Sequence, residues 1–324
     1  MLRNAITFIA LGVLLAAPLA GAARADEYPA RPIMLVVPYP PGGGNDVIAR
    51  IVAARMSAAL GREIVVENRG GAGGTIATRQ VARAAADGYT LLVATSSLAI
   101  NPSIYANVGY DPGKDFAPIG LMAKSQNVLL VNSSLGVASV SELIARAKAA
   151  PGKLTFASTG GGNSVQLAAE LFAALAGVAL TQIPYRGNAP ALTDLLGGQV
   201  DMMFSPLPAA VGLVHESKVR ALAVTGGTRS PLFPDLPTIA QAGLPGYESE
   251  LHYGIVAPAG VPRPIVDKLN AALRGALAAP DVAQHFAALG AEVFAGTPDA
   301  YAADIASEEA KWSPIVRKAG IKAE

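Results

Sequence analysis

Residues 33–38, IMLVVP, are apolar at every position, and soon afterwards Val47, Ile48, Ile51, Val52, Ala59 and Leu60 recur at helical spacing. An uninterrupted apolar run predicts a strand covered on both faces, and such strands belong to parallel sheets sandwiched between helices. Gly61 stands where the C-terminal cap of that helix belongs. The alternation then repeats: Glu63 to Glu67 reads as a strand, Ile76 to Ala86 as a helix, Asp87-Gly88 as a turn and Tyr89 to Ala94 as a strand. A chain that begins βαβαβ is committed to a parallel sheet with right-handed crossovers.

After Asp111 the pattern changes to a long extended stretch, Ile119 to Val131, that carries Lys124-Ser125-Gln126-Asn127 in its middle. A strand buried along its whole length would not hold four polar residues in a row, so the stretch reads as a crossover between two lobes. A second α/β set follows: helices at Val140 to Ala149, Val165 to Leu175 and Ala189 to Leu196 alternate with strands at Leu154 to Ala157, Leu180 to Pro184 and Val200 to Phe204. A short helix and a strand from Val219 to Val224 complete it. Residues 226–249 are rich in Pro and Gly and read as a return connection. The expected division is therefore residues 26–124 plus 250–324 for the first lobe and residues 125–225 for the second. Strand Tyr253 to Ala257, helix Pro264 to Leu277 and helices near 281–289 and 298–318 would complete the first lobe.

Residues 1–25 read as an export leader, with Arg3 as the positive end, Ala5 to Leu19 as the apolar stretch, and Ala23-Arg24-Ala25 as an A-x-A cleavage site. The apolar stretch is shorter than the roughly 20 residues of a membrane span, so cleavage after Ala25 and a periplasmic location are expected. Removing Arg3 and Arg24 tips the net charge from +1 to about −1. With no basic tract, nucleic acid has no electrostatic footprint here, and a small neutral or anionic partner fits better. The absence of Cys excludes disulfides, thiolate metal sites and cysteine nucleophiles.

Three predicted strands end in loops of Gly, Ser, Thr and Asn: "YPPGGGND" at 39–46, Thr95-Ser96-Ser97, and "STGGGNS" at 158–164. Ligands of open α/β sheets bind beyond the carboxyl ends of the strands. The unpaired N–H groups of a helix N-terminus are ready for an anion, and glycine lets the anion approach them. One helix end contributes only about 0.3 to 1 kcal/mol, so loops converging from two lobes are needed to make a trap, closed by a hinge. Asp46 reads as a helix cap. Asp201, an acid inside an apolar strand, needs a partner, either Arg186 or a ligand amine. Tyr185 and Arg186 follow a strand end and are placed to face the cleft.

Enzyme motifs are missing. "GAGGTI" at 71–76 has Ile where the dinucleotide fingerprint ends in Gly or Ala, and there is neither a P-loop nor a G-x-S-x-G elbow. His215, His252 and His285 are widely separated. An exported hydrolase would therefore need a Ser/His pair assembled in space; a receptor with a signalling partner is the other alternative. No cofactor and no metal are expected.

The blocks "YPARPIMLVVPYPPGGGND", "ENRGGAGGTIATRQVARAAADGYTLL", "STGGGNSVQLAAELF", "IPYRGNAPALTDLLGGQVDMMF", "RSPLFPDLPTIAQAGLPGYE" and "YGIVAPAGVP" occur in one order along the chain. With them the sequence resembles the Bug, or TctC-like, periplasmic solute receptors of tripartite tricarboxylate transporters. The resemblance implies a type II periplasmic-binding-protein fold: two α/β lobes joined by crossover strands, with a ligand cleft between them. It implies a monomer that is not an enzyme, takes a small carboxylate (dicarboxylate, tricarboxylate, amino acid or aromatic acid) and delivers it to a membrane permease. Carried onto this chain, the ligand-binding residues would be Tyr39, Pro41, Gly42, Gly43 and Asn45; Thr95, Ser96 and Ser97; and Ser158, Thr159, Gly161 and Asn163. Gln166, Tyr185 and Asp201 complete the set. Gln166 replaces a frequent His, Pro41 a common Ala, Gln241 a frequent Glu and His252 a common Trp.

Overall fold

The structure is a computed structural model that describes residues 28–158, 164–185, 187–216 and 219–322; the leader expected at residues 1–25 lies outside them. The first lobe begins with β1 (Ile33–Val37), α1 (Gly44–Leu60), β2 (Ile64–Asn68), α2 (Thr75–Ala82), β3 (Thr90–Thr95) and α3 (Ser97–Ile104). β1 lies between β2 and β3, parallel to both. Gly61 does cap α1, in the left-handed conformation. The second lobe holds α4 (Val140–Ala149), β5 (Thr155–Ser158), α5 (Ser164–Ala176), β6 (Thr181–Pro184), α6 (Asn188–Leu196), β7 (Met202–Pro206), α7 (Leu207–His215) and β8 (Arg220–Val224). There β5 lies between β6 and β7, again parallel to both.

The two sheets share one strand, β4 (Phe116–Val131). Its first part pairs antiparallel with β9 (Glu250–Pro258), and its last five residues pair with β7 and β8. The polar stretch Lys124-Ser125-Gln126-Asn127 marks the change of partners: Lys124, Ser125 and Gln126 face His252, Leu251 and Glu250 across the ladder, and Asn127 already pairs with Pro206. At about 3.3 Å per residue one strand thus runs the depth of both lobes.

After β9 come α8 (Arg263–Leu277), α9 (Pro280–Ala288), a short strand β10 (Ala291–Val293) on the free edge of β4, and α10 (Pro298–Ala319). β10 carries no signal in the sequence, because three residues show no period and its existence depends on the edge that β4 leaves open. Helices α1, α8 and α9 cover one face of the first sheet. α2, α3 and the first half of α10 cover the other. The C-terminal helix does more than complete the first lobe. Its Tyr301 and Ile305 sit in the first-lobe core, whereas Trp312 and Val316, two to four turns on, are buried in the second-lobe core with Phe156, Phe172 and Tyr247. Among the described residues no helix is long and apolar enough to cross a membrane.

α10 reaches β9 closely because Gly254 has no side chain: a Cβ there would overlap the ring of buried Tyr301. Gly254→Ala should therefore cost about 1 to 3 kcal/mol through overpacking. Exposed Gly275, inside α8 with nothing within 4 Å of an added Cβ, makes the contrast: Gly275→Ala should gain roughly 0.5 to 1 kcal/mol. Urea denaturation of both variants checks the pair of signs.

Candidate functional site

Between β1 and α1 the chain makes the loop Pro38 to Gly43, and its brace comes from the first turns of α1. Asp46 Oδ2 accepts the Gly42 N–H at 2.9 Å, and Asp46 Oδ1 pairs with Arg50 Nη2 at 3.0 Å. Arg50 also donates to Asn68 Oδ1, and Asn68 Nδ2 donates to the Tyr39 carbonyl at 3.1 Å. The end of β2 therefore holds the end of the loop. Burial of Asp46 opposes its charge, but the bonds from Arg50, Gly42 and Asn68 outweigh that and hold its carboxyl below the ordinary value. Asp46, expected to cap the helix end, sits in the first turn and instead reaches back to the loop, while the capping position is Gly43, with no side-chain cap.

This brace decides which loop groups remain free. Pro41 has no N–H, and the Gly42 N–H is taken by Asp46. Pro41 and Gly42, expected among the ligand-binding residues, therefore have no backbone N–H left to give a ligand. The N–H groups of Gly43, Gly44 and Asn45, at the start of α1, bond no acceptor among the described residues. They are the orphan donors of a helix N-terminus, and Gly43, the capping residue, supplies no side chain to satisfy them.

Next to this loop, at the end of β3, three hydroxyls form a closed triangle. Tyr39 lies 2.9 Å from Thr95 Oγ1 and 2.7 Å from Ser97 Oγ, and the last two are 2.7 Å apart. Each hydroxyl has one proton, so a ring of three satisfies its own donors and presents lone pairs outward. Ser96 points elsewhere: its N–H donates to the His252 carbonyl and its Oγ accepts the His252 N–H at 3.0 Å, which pins β3 to β9.

From the second lobe, Ser158 ends β5 fully buried, and its Oγ has no partner. Thr159, Gly161 and Asn163 lie outside the described residues. Gln166, on α5, sends Nε2 to Gln182 Oε1 at 3.4 Å. Tyr185 turns to α6, donating to Asp194 Oδ2 at 2.8 Å; burial and that carboxylate push its phenol up to about 12. Its hydroxyl is thus held within the lobe and not offered to the cleft. Asp201 is a clearer correction. It lies before β7, where Oδ2 accepts both the N–H and the hydroxyl of Thr155, the first residue of β5, at 2.8 Å. That is the amino-terminal edge of parallel strands, about 10 Å from their carboxyl ends. The partner it needed is Thr155, not a ligand amine.

A cavity of about 90 Å³ joins the lobes. Tyr39, Asn45, Thr95, Ser96, Ser97 and Ile100 line it from the first, Ser164 and Leu167 from the second, Ser249, Glu250 and Leu251 from the hinge strand, and Trp312 from α10. A larger one, about 510 Å³, lies on the other side of Glu250 between Lys124, Gln126, residues 228–232, α9 and β10. It contains none of the strand-end loops.

Sequence reasoning missed several of these residues. Asn188 begins α6, donates Nδ2 to buried Ser205 Oγ at the end of β7, and has a buried Oδ1 without a partner, as does Asn45. A signal existed: Gly187-Asn188 repeats the Gly-Asn of 44–45 and 162–163 at a helix start. Glu250 was also visible as a lone charge opening an apolar strand. Trp312 was not, since it reaches the site from a helix with no local motif.

The three histidines form no Ser/His pair among the described residues. The His252 ring bonds Asp304 Oδ2 at 2.8 Å, His285 bonds the Asp281 carbonyl within α9, and His215 meets the Phe233 ring edge-on. Ser96 touches only the main chain of His252, so the bond that joins nucleophile to base is not made.

Comparison with known proteins gives a consistent result. Residues 48–321 match the family described as tripartite tricarboxylate transporter family receptor. Protein BugT of Bordetella pertussis is 40% identical over 315 residues, covering 96% of this chain and 97% of its own. Among solved structures, R. palustris Rpa4515 with adipate is 38% identical with a TM-score of 0.81, covering 91% of this chain and 100% of its own. MatC from Rhodopseudomonas palustris with bound malate is 36% identical with a TM-score of 0.77, covering 89% and 100%.

Asp201→Ala leaves two Thr155 donors without their acceptor. It should lower unfolding free energy by about 1 to 3 kcal/mol while leaving ligand affinity unchanged, as read by urea denaturation and calorimetry on the same protein.

Proposed function

From the premise that the chain belongs to the tripartite tricarboxylate transporter receptor family, we propose that it captures a small carboxylate in the periplasm and delivers it to a membrane permease. The observation that carries this reading is the set of N–H groups at Gly43, Gly44 and Asn45 that bond no acceptor among the described residues, the last of them on a residue that lines the inter-lobe cavity. Donors at a helix N-terminus suit a carboxylate, and their alignment with the helix dipole adds to the attraction.

One helix end supplies about 0.3 to 1 kcal/mol, too little against the roughly 8 kcal/mol of a micromolar complex. The second lobe has to contribute, and it offers the buried Ser158 hydroxyl, which has a proton to donate and no partner among the described residues. Shared β4 provides the hinge across which the lobes close. Linear dicarboxylates in the two similar structures, adipate in one and malate in the other, support a carboxylate as the guest.

Gly43→Val tests the reading. Gly43 has an ordinary φ of −80°, and an added Cβ meets nothing nearer than the Pro40 carbonyl at 4.0 Å. The variant should keep the unliganded melting temperature and lose carboxylate affinity by about a hundredfold or more, the worth of one to two charge-assisted hydrogen bonds. Thermal shift and calorimetry against succinate, malate, adipate, glutamate and nicotinate measure it. Undiminished binding by Gly43→Val would reduce these glycines to turn geometry and overturn the proposal.

A further inference from the structure

The cavity is lined by one acid and, among the described residues, by no Lys, Arg or His. That acid is Glu250, the first residue of β9, half-buried and shared with the larger cavity behind it. Its carboxylate makes no hydrogen bond or ion pair among the described residues. The nearby cations are occupied: Lys124 Nζ lies 3.7 Å from Asp304 Oδ1 and over the Phe294 ring, and Lys311 Nζ lies 3.6 Å from Glu248 Oε1. A partly buried carboxylate with no bonded partner is costly. Desolvation holds its pKa above the ordinary value, with Glu248 raising it further, against the pull of Lys124, His252 and Lys311.

The rest of the wall adds further acceptors. Asn45 Oδ1 is a buried acceptor without a donor. The Tyr39, Thr95 and Ser97 hydroxyls lie within hydrogen-bond distance of one another, so each has an acceptor for its proton and lone pairs to spare. Free donors are found at the backbone of Gly43 to Asn45. A guest that satisfies both sets must carry donors as well as acceptors.

We propose that Glu250 selects for a ligand carrying an ammonium group together with its carboxylate, that is, an amino acid in preference to the dicarboxylate of the same skeleton. The carboxylate meets the α1 N-terminus, and the ammonium meets Glu250 with Asn45 Oδ1. A second ligand carboxylate directed at Glu250 meets a like charge instead, which disfavours it. This deepens the carboxylate-receptor reading and rests on it.

The test uses matched probes on the mature protein at neutral pH: aspartate against malate, which exchange ammonium for hydroxyl, and 4-aminobutyrate against glutarate, which exchange ammonium for carboxylate. In at least one pair the amino compound should bind at least about tenfold more tightly, the worth of one charge-assisted hydrogen bond, and Glu250→Gln should abolish that ratio or reverse it. Because Glu250 bonds nothing within the chain, the variant should melt with wild type; Glu250→Ala, which removes the group outright, should lose the same preference. Tight binding of malate or glutarate with no amino preference, or a preference that survives both substitutions, would overturn the role of Glu250 while leaving the carboxylate reading standing. Binding of none of the four probes, nor of succinate, adipate or nicotinate, would overturn both.

Discussion

The antiparallel ladder between β4 and β9 is the constraint on which everything else depends. β4 gives one edge to the first-lobe sheet and, a few residues on, both edges to strands of the second. Two sheets whose parallel strands follow local βαβ rules are thereby joined, and residues beyond the ends of β1 and β3 line one cavity with Ser164 and Leu167 of α5. Polar residues are tolerated in the middle of β4 because the partner changes there. α10 reinforces the arrangement, with its first turns buried in one core and Trp312 in the other.

Within that frame, local hydrogen bonding divides the loop after β1 into a braced part and a free part. Asp46, Arg50 and Asn68 use their own polar groups to hold Gly42 and Tyr39. The next three amides are left without acceptors because the capping position is a glycine. A Ser or Asp at Gly43 would have capped the helix and closed the site to an anion. Stability given up at one helix end is thus the condition for binding there, in keeping with the rule that local conflicts concentrate at functional sites.

Elsewhere on the cavity wall the hydroxyls of Tyr39, Thr95 and Ser97 close on one another, nearby lysines close on Asp304 and Glu248, and the Glu250 carboxylate is left without a bonded partner among the described residues.

Alternating apolar runs and helical periods were sufficient to read a two-lobed α/β chain with glycine loops at three strand ends, since covered strands and amphipathic helices leave their spacing in the residues themselves. The polar quartet at 124–127 even marked the crossing point. What remained hidden was which polar groups those elements would consume. Asp201 looked like a site acid until Thr155, 46 residues away, was brought beside it; Tyr185 was drawn off by Asp194, and Gly42 by Asp46. Trp312 and Glu250 joined the cavity from segments with no motif of their own. Spacing along a chain determines which face a side chain occupies. Whether its hydrogen bonds are left for a ligand depends on neighbours brought close only by folding, and that only the tertiary structure decided.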